Sequence, residues 1–183
     1  MPFEAAQSFC QDYLASNWGT RVYGMIDGSS QMLLQSPEHQ GAGRSTAYYW
    51  LQLNQRLWTG ACVYVEAEGG WGDGLDRLVE NYSVLNGNAG EVTQFYIPKA
   101  YLEQFLLERR LFINAGKLDV SDWFDGNDAA GSSDLQFLSS SLVYNRAIPF
   151  PEKGLGMSAG LAISDAFYLN AGVCDARAVT THS

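Results

Sequence analysis

Carboxylate and amide side chains crowd one segment of the sequence. Asp119, Asp122, Asp125, Asn127 and Asp128 follow one another at intervals of one to three residues. Hard oxygen ligands of this kind bind Ca²⁺, although the spacing is not that of an EF-hand. A carboxylate pair such as Asp122 and Asp125 is also what glycoside hydrolysis requires. The simplest interpretation is a solvated acidic loop, and the question of Ca²⁺ binding stays open at this level.

A second group of residues imitates a hydrolase. Gly156-Met157-Ser158-Ala159-Gly160 matches the Gly-x-Ser-x-Gly pattern, and Asp165 or Asp175 with His182 follows in the chain order of a catalytic triad. A nucleophile elbow requires a helix directly after the serine, whereas residues 160–173 alternate between apolar and polar positions as a β-hairpin does. The sequence therefore predicts no enzyme.

Composition excludes further classes of protein. The 183 residues include 20 acidic and 11 basic side chains, and the resulting net charge of -9 repels nucleic acid. Two histidines and three cysteines occur without the spacing of a zinc site or a disulfide framework, so apart from the open question of Ca²⁺ we expect no metal, and we expect no cofactor. No apolar run approaches the roughly 18 residues of a membrane helix. The length suggests one domain, preceded by a lead segment over residues 1–19.

Alternation between apolar and polar residues is the main structural signal, and it predicts an all-β fold. We expect a short helix over residues 4–15 and then about seven strands. The predicted strands cover residues 20–35, 46–55, 59–69, 99–107, 111–118, 156–163 and 166–173. In residues 111–118 the facing is ambiguous, because Gly116 could mark a bulge.

The connections between the predicted strands differ in length. We expect short turns at residues 56–58, 108–110 and 164–165, and long polar loops at residues 36–45, 70–93 and 119–153. Short turns on one side and long loops on the other are typical of an antiparallel transmembrane β-barrel. The alternative is a soluble β-sandwich, in which long loops of this size are uncommon.

The two architectures differ in where the apolar faces of the strands point. In a barrel these residues face lipid, whereas in a sandwich they form the core. The test residues are Val63, Val65, Leu102, Leu161 and Leu169. About seven strands, an odd number, do not form a closed barrel by themselves. Barrels that a single bacterial chain forms across a membrane have an even number of strands.

The most specific motifs lie in the second half of the sequence. They resemble, in order and composition, those of the carbohydrate-selective outer-membrane porins of the OprB family. The matching segments are Ala115-Gly116-Lys117-Leu118, Gln136-Phe137-Leu138, Asn145-Arg146-Ala147-Ile148-Pro149-Phe150-Pro151 and Gly154-Leu155-Gly156. The resemblance extends from Trp18 to Asp175 and implies the N-terminal portion of a sixteen-stranded barrel, here residues 20–183. We identify no signal peptide at the N-terminus and no closing strand at the C-terminus, and we therefore expect a fragment.

The resemblance implies a function and a set of site residues. A sugar-selective pore hydrogen-bonds neutral hydroxyl groups and stacks aromatic rings on pyranose rings, without a nucleophile or a base. The candidate constriction residues are Trp123, Asp125, Asn127 and Arg146 in the long loop, with Lys99, Glu103 and Lys117 on strands. We expect an outer-membrane porin for small carbohydrates, surrounded by lipid, with homo-oligomerisation left open. The alternative is a secreted β-sandwich that binds carbohydrate.

Overall fold

The computed structural model describes residues 19–35, 38–39, 41–80, 84–89, 95–127, 129–133, 135–145 and 147–178. The predicted helix over residues 4–15 and the candidate residue Arg146 lie outside this part of the chain. All seven predicted strands are present, and they form one antiparallel sheet in the order β1 to β7. Their bounds are Thr20–Met32 (β1), Gly43–Trp58 (β2), Ala61–Trp71 (β3), Tyr96–Leu106 (β4), Leu111–Leu118 (β5), Gly154–Ala162 (β6) and Tyr168–Cys174 (β7).

The single sheet confirms the predicted all-β barrel-type fold and does not support the sandwich. A sandwich needs a second sheet to cover the first, and the described residues contain one sheet. As predicted, short turns connect the strands at one end, and long loops connect them at the other. Within the described residues β1 pairs with β2 and β7 pairs with β6, so the sheet is open.

The position of the first short turn differs from the prediction. The residues predicted as a turn, 56–58, instead belong to β2, and the chain reverses at Thr59 and Gly60. Gly60 has a φ of 80°, and a Cβ atom there would lie 2.7 Å from the carbonyl oxygen of Phe105. The turn therefore occurs where glycine provides both the left-handed backbone and the close approach.

The bulge considered at Gly116 is absent. Each residue of β5 from Leu111 to Leu118 pairs in continuous register with β6. Gly116 has a φ of 144°, and a Cβ atom would lie 2.4 Å from the carbonyl oxygen of Ala100 and 2.7 Å from Cα of Tyr101. The residue is glycine because two backbones approach closely there, with no extra residue in the ladder.

The described residues of the long loops contain little regular structure. In the β3–β4 loop they include a 3-10 turn at Leu75–Arg77, and in the β5–β6 loop they include the short helices α1 (Ser121–Phe124) and α2 (Ser140–Val143). In the described part of the chain, no helix is both long and apolar enough to span a membrane. Cys174 is a free thiol and Cys62 is disulfide-bonded, so these two cysteines are not joined to each other.

In this sheet the buried face carries charged and polar residues and the exposed face carries apolar residues, which is the reverse of the distribution in an ordinary soluble domain. One face, called the covered face, carries buried charged and polar side chains: Gln52, Glu66, Lys99, Glu103 and Asn114. The other face, called the open face, carries apolar side chains. Leu51 is 50% exposed, Leu169 is 60% exposed and Val173 is 68% exposed.

The five test residues of the barrel prediction follow this division. Leu169 is exposed, and Val63, Val65, Leu102 and Leu161 are partly exposed, so none of them belongs to a buried core. The buried apolar cluster lies on the covered face instead, where aromatic strand residues meet residues of the β5–β6 loop. Its members are Cys62, Tyr64, Tyr101, Phe105, Phe112, Leu118, Val120 and Trp123.

Candidate functional site

A large cavity lies between the covered face and the long loops. It has a volume of about 990 Å³. The strands β2, β3 and β4 contribute Trp50, Glu66 and Lys99 to its lining, and the β5–β6 loop contributes Asp122 and Asp125. The volume is sufficient for a small organic solute, since ligand cavities range from about 300 to about 1,000 Å³.

The β3–β4 loop is fixed to the sheet and to the other long loop. The side-chain amide of Asn86, which is fully buried, donates to the hydroxyl groups of Ser29 at 2.8 Å and Thr46 at 3.1 Å. The backbone N–H of Gly87 donates to the carbonyl of Leu138 at 2.7 Å. The β3–β4 loop is therefore hydrogen-bonded both to strands β1 and β2 and to the β5–β6 loop.

A buried ion-pair network connects the β5–β6 loop to the sheet. The ammonium group of Lys99, on β4, lies 3.0 Å from Oδ2 of Asp122 in α1 and 3.3 Å from Oε1 of Glu66 on β3. Lys99 is 7% exposed. Tyr64 donates a hydrogen bond to Glu66, and Gln52 donates one to Tyr64. The network thus extends across three strands and ends on a loop carboxylate.

A second ion pair fixes the other end of the same loop. Nζ of Lys153, next to the start of β6, lies 2.9 Å from Oε1 of Glu68 on β3. The hydroxyl of Tyr96 donates to Oε2 of the same carboxylate at 2.5 Å. The β5–β6 loop is therefore held to the sheet near both of its ends, once by a strand lysine and once by a loop lysine.

The carboxyl group of Asp122 is perturbed by its surroundings. Burial raises its pKa above the ordinary range, and the ammonium group of Lys99 opposes that shift. The ionised form of Asp122 therefore depends on Lys99 for compensation.

Trp123 lies in the buried cluster and does not line the cavity. Its side chain is 7% exposed, and its ring meets Tyr101 edge to face, with centroids 5.8 Å apart and an interplanar angle of 75°. Tyr101 in turn stacks on Tyr64 at 4.8 Å. The predicted stacking of Trp123 on a sugar ring thus differs from the structure, in which this ring anchors the loop to the sheet.

The structure brings together three of the predicted constriction residues. Lys99, Asp125 and Asn127 all line the cavity. Asp125 also accepts a hydrogen bond from the backbone N–H of Asn145 at 2.9 Å, which connects two parts of the same loop.

Two other predicted residues lie away from the cavity. Glu103 is 1% exposed on the covered face, opposite Asn114 in the register with β5, and does not line the cavity. Lys117 pairs with Ala100 and Leu155 in the register, and these residues belong to the open face. The alternation of β5 therefore separates Lys117 from the other candidates.

The strands contribute aromatic residues to the lining that were not among the candidates. Tyr48 and Trp50 of β2 and Tyr96 of β4 line the cavity. The sequence contains a signal for Trp50, since it alternates with apolar residues and shares the parity of Gln52. Aromatic side chains in the lining of a cavity provide apolar surface that a solute can contact.

The acidic segment serves local structure in the described residues. Asp119 accepts hydrogen bonds from the backbone N–H and the hydroxyl of Ser121, at 2.9 and 2.6 Å. In the described part of the chain, no group of three or more His, Cys, Asp or Glu side chains is placed to hold a metal ion. Ser158 of the Gly-x-Ser-x-Gly pattern lies within β6, where its hydroxyl accepts a hydrogen bond from Asn114 at 3.2 Å.

Negative charge predominates on the lining of the cavity. Among the described lining residues, Lys99 and Lys153 are cationic, whereas seven side chains are carboxylates. The carboxylates are Glu66, Glu68, Asp73, Asp76, Asp119, Asp122 and Asp125. An excess of five negative charges favours cations over anions in the cavity and leaves many acceptors for neutral hydroxyl groups.

Comparisons with known proteins bear on the fold. No family model matches the sequence. No curated protein matches it either. Among solved structures, the high-pH structure of Pseudomonas putida OprB is similar, with a TM-score of 0.65 and 13% sequence identity. The match covers 84% of this chain and 40% of that chain, so this chain spans about two fifths of its length. The predicted resemblance is confirmed at the level of the fold, because the open seven-stranded sheet has the architecture of part of a porin β-barrel.

Proposed function

We propose that this chain is part of an outer-membrane porin that admits small carbohydrates by facilitated diffusion. The observation that carries the proposal is the inverted sheet, with buried charges on one face and exposed leucine and valine on the other. In water such an apolar face is costly, whereas in a bilayer it is the favoured surface of a barrel strand. The similarity in fold to OprB supports the same interpretation.

The chemistry of the cavity supports a neutral, hydroxyl-rich solute. Trp50 and Tyr48 provide aromatic surface, while carboxylates, Lys99 and Asn127 provide acceptors and donors for hydroxyl groups. Transit requires weak binding at several positions rather than one tight site. We therefore propose small sugars as solutes, the outer membrane as the location and lipid as the partner of the open face.

The proposal is tested on the protein with its natural ends, purified in detergent and reconstituted in liposomes. Swelling rates are measured with glucose, larger oligosaccharides and amino acids. Faster swelling with glucose than with larger oligosaccharides or with amino acids of similar size supports a carbohydrate porin. A protein that stays soluble in plain buffer and produces no swelling contradicts the porin, and sugar binding by that soluble protein would favour a carbohydrate-binding module.

A matched pair of tryptophan variants tests the role of the cavity. Trp50 lines the cavity, whereas Trp71 on the neighbouring strand pairs with Ala47 on the open face and is 57% exposed. Loss of one stacking ring weakens binding of a sugar in the passage, because the ring contributes contact area that water does not replace. Trp50→Ala should therefore change the ratio of glucose to amino acid flux, and Trp71→Ala should leave that ratio unchanged.

A further inference from the structure

We infer that Lys99 is a positioning residue that holds the first part of the β5–β6 loop against the sheet, through Asp122, and thereby sets the width of the passage. The role in transport rests on the proposed function, whereas the attachment of the loop does not. The inference concerns residues 119–127, which lie between the end of β5 and the rest of the loop.

The geometry gives Lys99 two partners on different elements. Its ammonium group contacts Glu66 on β3 at 3.3 Å and Asp122 in α1 at 3.0 Å, so one cation joins the sheet to the loop. Both carboxylates lie within 3.3 Å of the same nitrogen atom. Without the cation, two buried like charges would face each other, and the loop carboxylate would move towards water.

The second ion pair limits how far the loop moves. Lys153 and Glu68 form an ion pair of 2.9 Å at the far end of the loop that does not involve Lys99, and we expect it to remain when Lys99 is replaced. Trp123, the neighbour of Asp122, is buried against Tyr101 and would be exposed by release of α1. Loss of Lys99 therefore widens the cavity from one side instead of releasing the whole loop.

The test uses the protein with its natural ends and measures cleavage by chymotrypsin after Trp123, identified by mass spectrometry, at alkaline pH. Removal of one partner from a buried pair shifts the opening equilibrium by about a hundredfold, and cleavage of a segment that opens rapidly follows that equilibrium. Lys99→Met should therefore raise the cleavage rate by about a hundredfold. Lys99→Arg, which keeps the charge, should restore slow cleavage.

A second variant keeps the test decisive if Lys99→Met does not fold. Asp122→Ala removes the partner on the loop and should also accelerate cleavage after Trp123, while Asp165→Ala in the exposed β6–β7 turn should not. In liposomes, Lys99→Met and Asp122→Ala should also admit trisaccharides faster relative to glucose.

The outcomes separate this inference from the proposed function. Unchanged cleavage in a folded Lys99→Met or Asp122→Ala protein overturns the positioning role, as does equal acceleration by Lys99→Met and Lys99→Arg. Accelerated cleavage with no swelling by the wild-type protein supports the attachment of the loop and overturns the porin. Accelerated cleavage with unchanged trisaccharide permeation in an active porin overturns the role in setting the width.

Discussion

Neutralising Asp125 should weaken the preference of the passage for cations over anions. Asp125 lines the cavity, and the described lining residues carry an excess of five negative charges. Asparagine has the same shape and keeps an oxygen that accepts the hydrogen bond from the backbone of Asn145. The substitution Asp125→Asn therefore removes one charge and preserves the local structure of the loop.

The size of the effect follows from the size of the cavity. In a cavity of about 990 Å³, an ion at the centre lies about 6 Å from the wall. At this distance its interaction energy with one unit charge on the wall is about 0.7 kcal/mol in water, and screening by 0.1 M salt reduces it to about 0.4 kcal/mol. The sign is opposite for a cation and an anion, so the preference changes by about 0.8 kcal/mol, which is about fourfold.

The assay is the reversal potential in planar bilayers under a gradient of KCl. The wild-type protein should favour K⁺ over Cl⁻, and Asp125→Asn should lower the permeability ratio about fourfold. Asp165→Asn, which removes an exposed charge in the β6–β7 turn, serves as the control and should leave the ratio unchanged. Two results would refute the interpretation that ions pass through this cavity. One is a wild-type channel that favours anions, and the other is an Asp125→Asn channel with the same permeability ratio as the wild type.

Three further predictions test the faces, the strands and the loop. Leu51→Arg on the open face should prevent assembly in membranes, because an arginine near the bilayer midplane costs about 2–4 kcal/mol. The measurement is insertion of the protein into membranes. The control variant Leu34→Arg, in the exposed β1–β2 loop, should insert like the wild-type protein. Gly116→Ala should lower the free energy of unfolding by about 1–3 kcal/mol, because the new Cβ would lie 2.4 Å from the carbonyl oxygen of Ala100. Denaturant titration or the heat-dependent shift in electrophoretic mobility measures this loss. In the control Gly28→Ala, the new Cβ would lie 3.9 Å from the carbonyl oxygen of Thr46, so this variant should be as stable as the wild-type protein. The charged groups around Asp122 in the attached loop are Lys99, Asp119, Lys153 and Glu66, and burial raises the pKa of Asp122 there. The attached state of the loop therefore binds more protons than the released state. Because of this difference, attachment weakens as the pH rises. Lys99→Met removes the cation that opposes this shift, so its single-channel conductance should increase as the pH rises above the ordinary range of a carboxyl group, and a decrease with rising pH would contradict this reasoning.

The faces of the strands were predictable because alternation is a local property of the chain. In β2, the order of Leu51, Gln52, Leu53 and Asn54 already separates the open face from the covered face. In the predicted strand over residues 99–107, the alternation breaks at Gln104 and Phe105, because a polar residue falls on the open face and an apolar residue on the covered face. This break has a tertiary cause. The side chain of Phe105 lies on the covered face, and its ring centroid is 6.4 Å from that of Phe112. An apolar residue fits there because the covered face contains an apolar cluster as well as charges.

The site was harder to predict because its contacts join distant parts of the sequence. Lys99 was a candidate, but its partner Asp122 lies 23 residues away, and no spacing rule connects a strand lysine with a loop carboxylate. Trp123 was predicted to contact solute, and its burial depends on how the loop packs on Tyr101. The face of Lys117 depends on the register of β5 with its neighbours, which Gly116 made ambiguous in the sequence.

Each strand of the sheet pairs with the strands that precede and follow it in the chain. Such a meander contains no crossover, so a hairpin added or removed at one edge leaves every other pairing unchanged. Changes in strand number by whole hairpins are therefore structurally simple steps in evolution for this architecture. The loops over the covered face tie separate hairpins together, and they restrict which hairpins can be exchanged without disturbing the cavity.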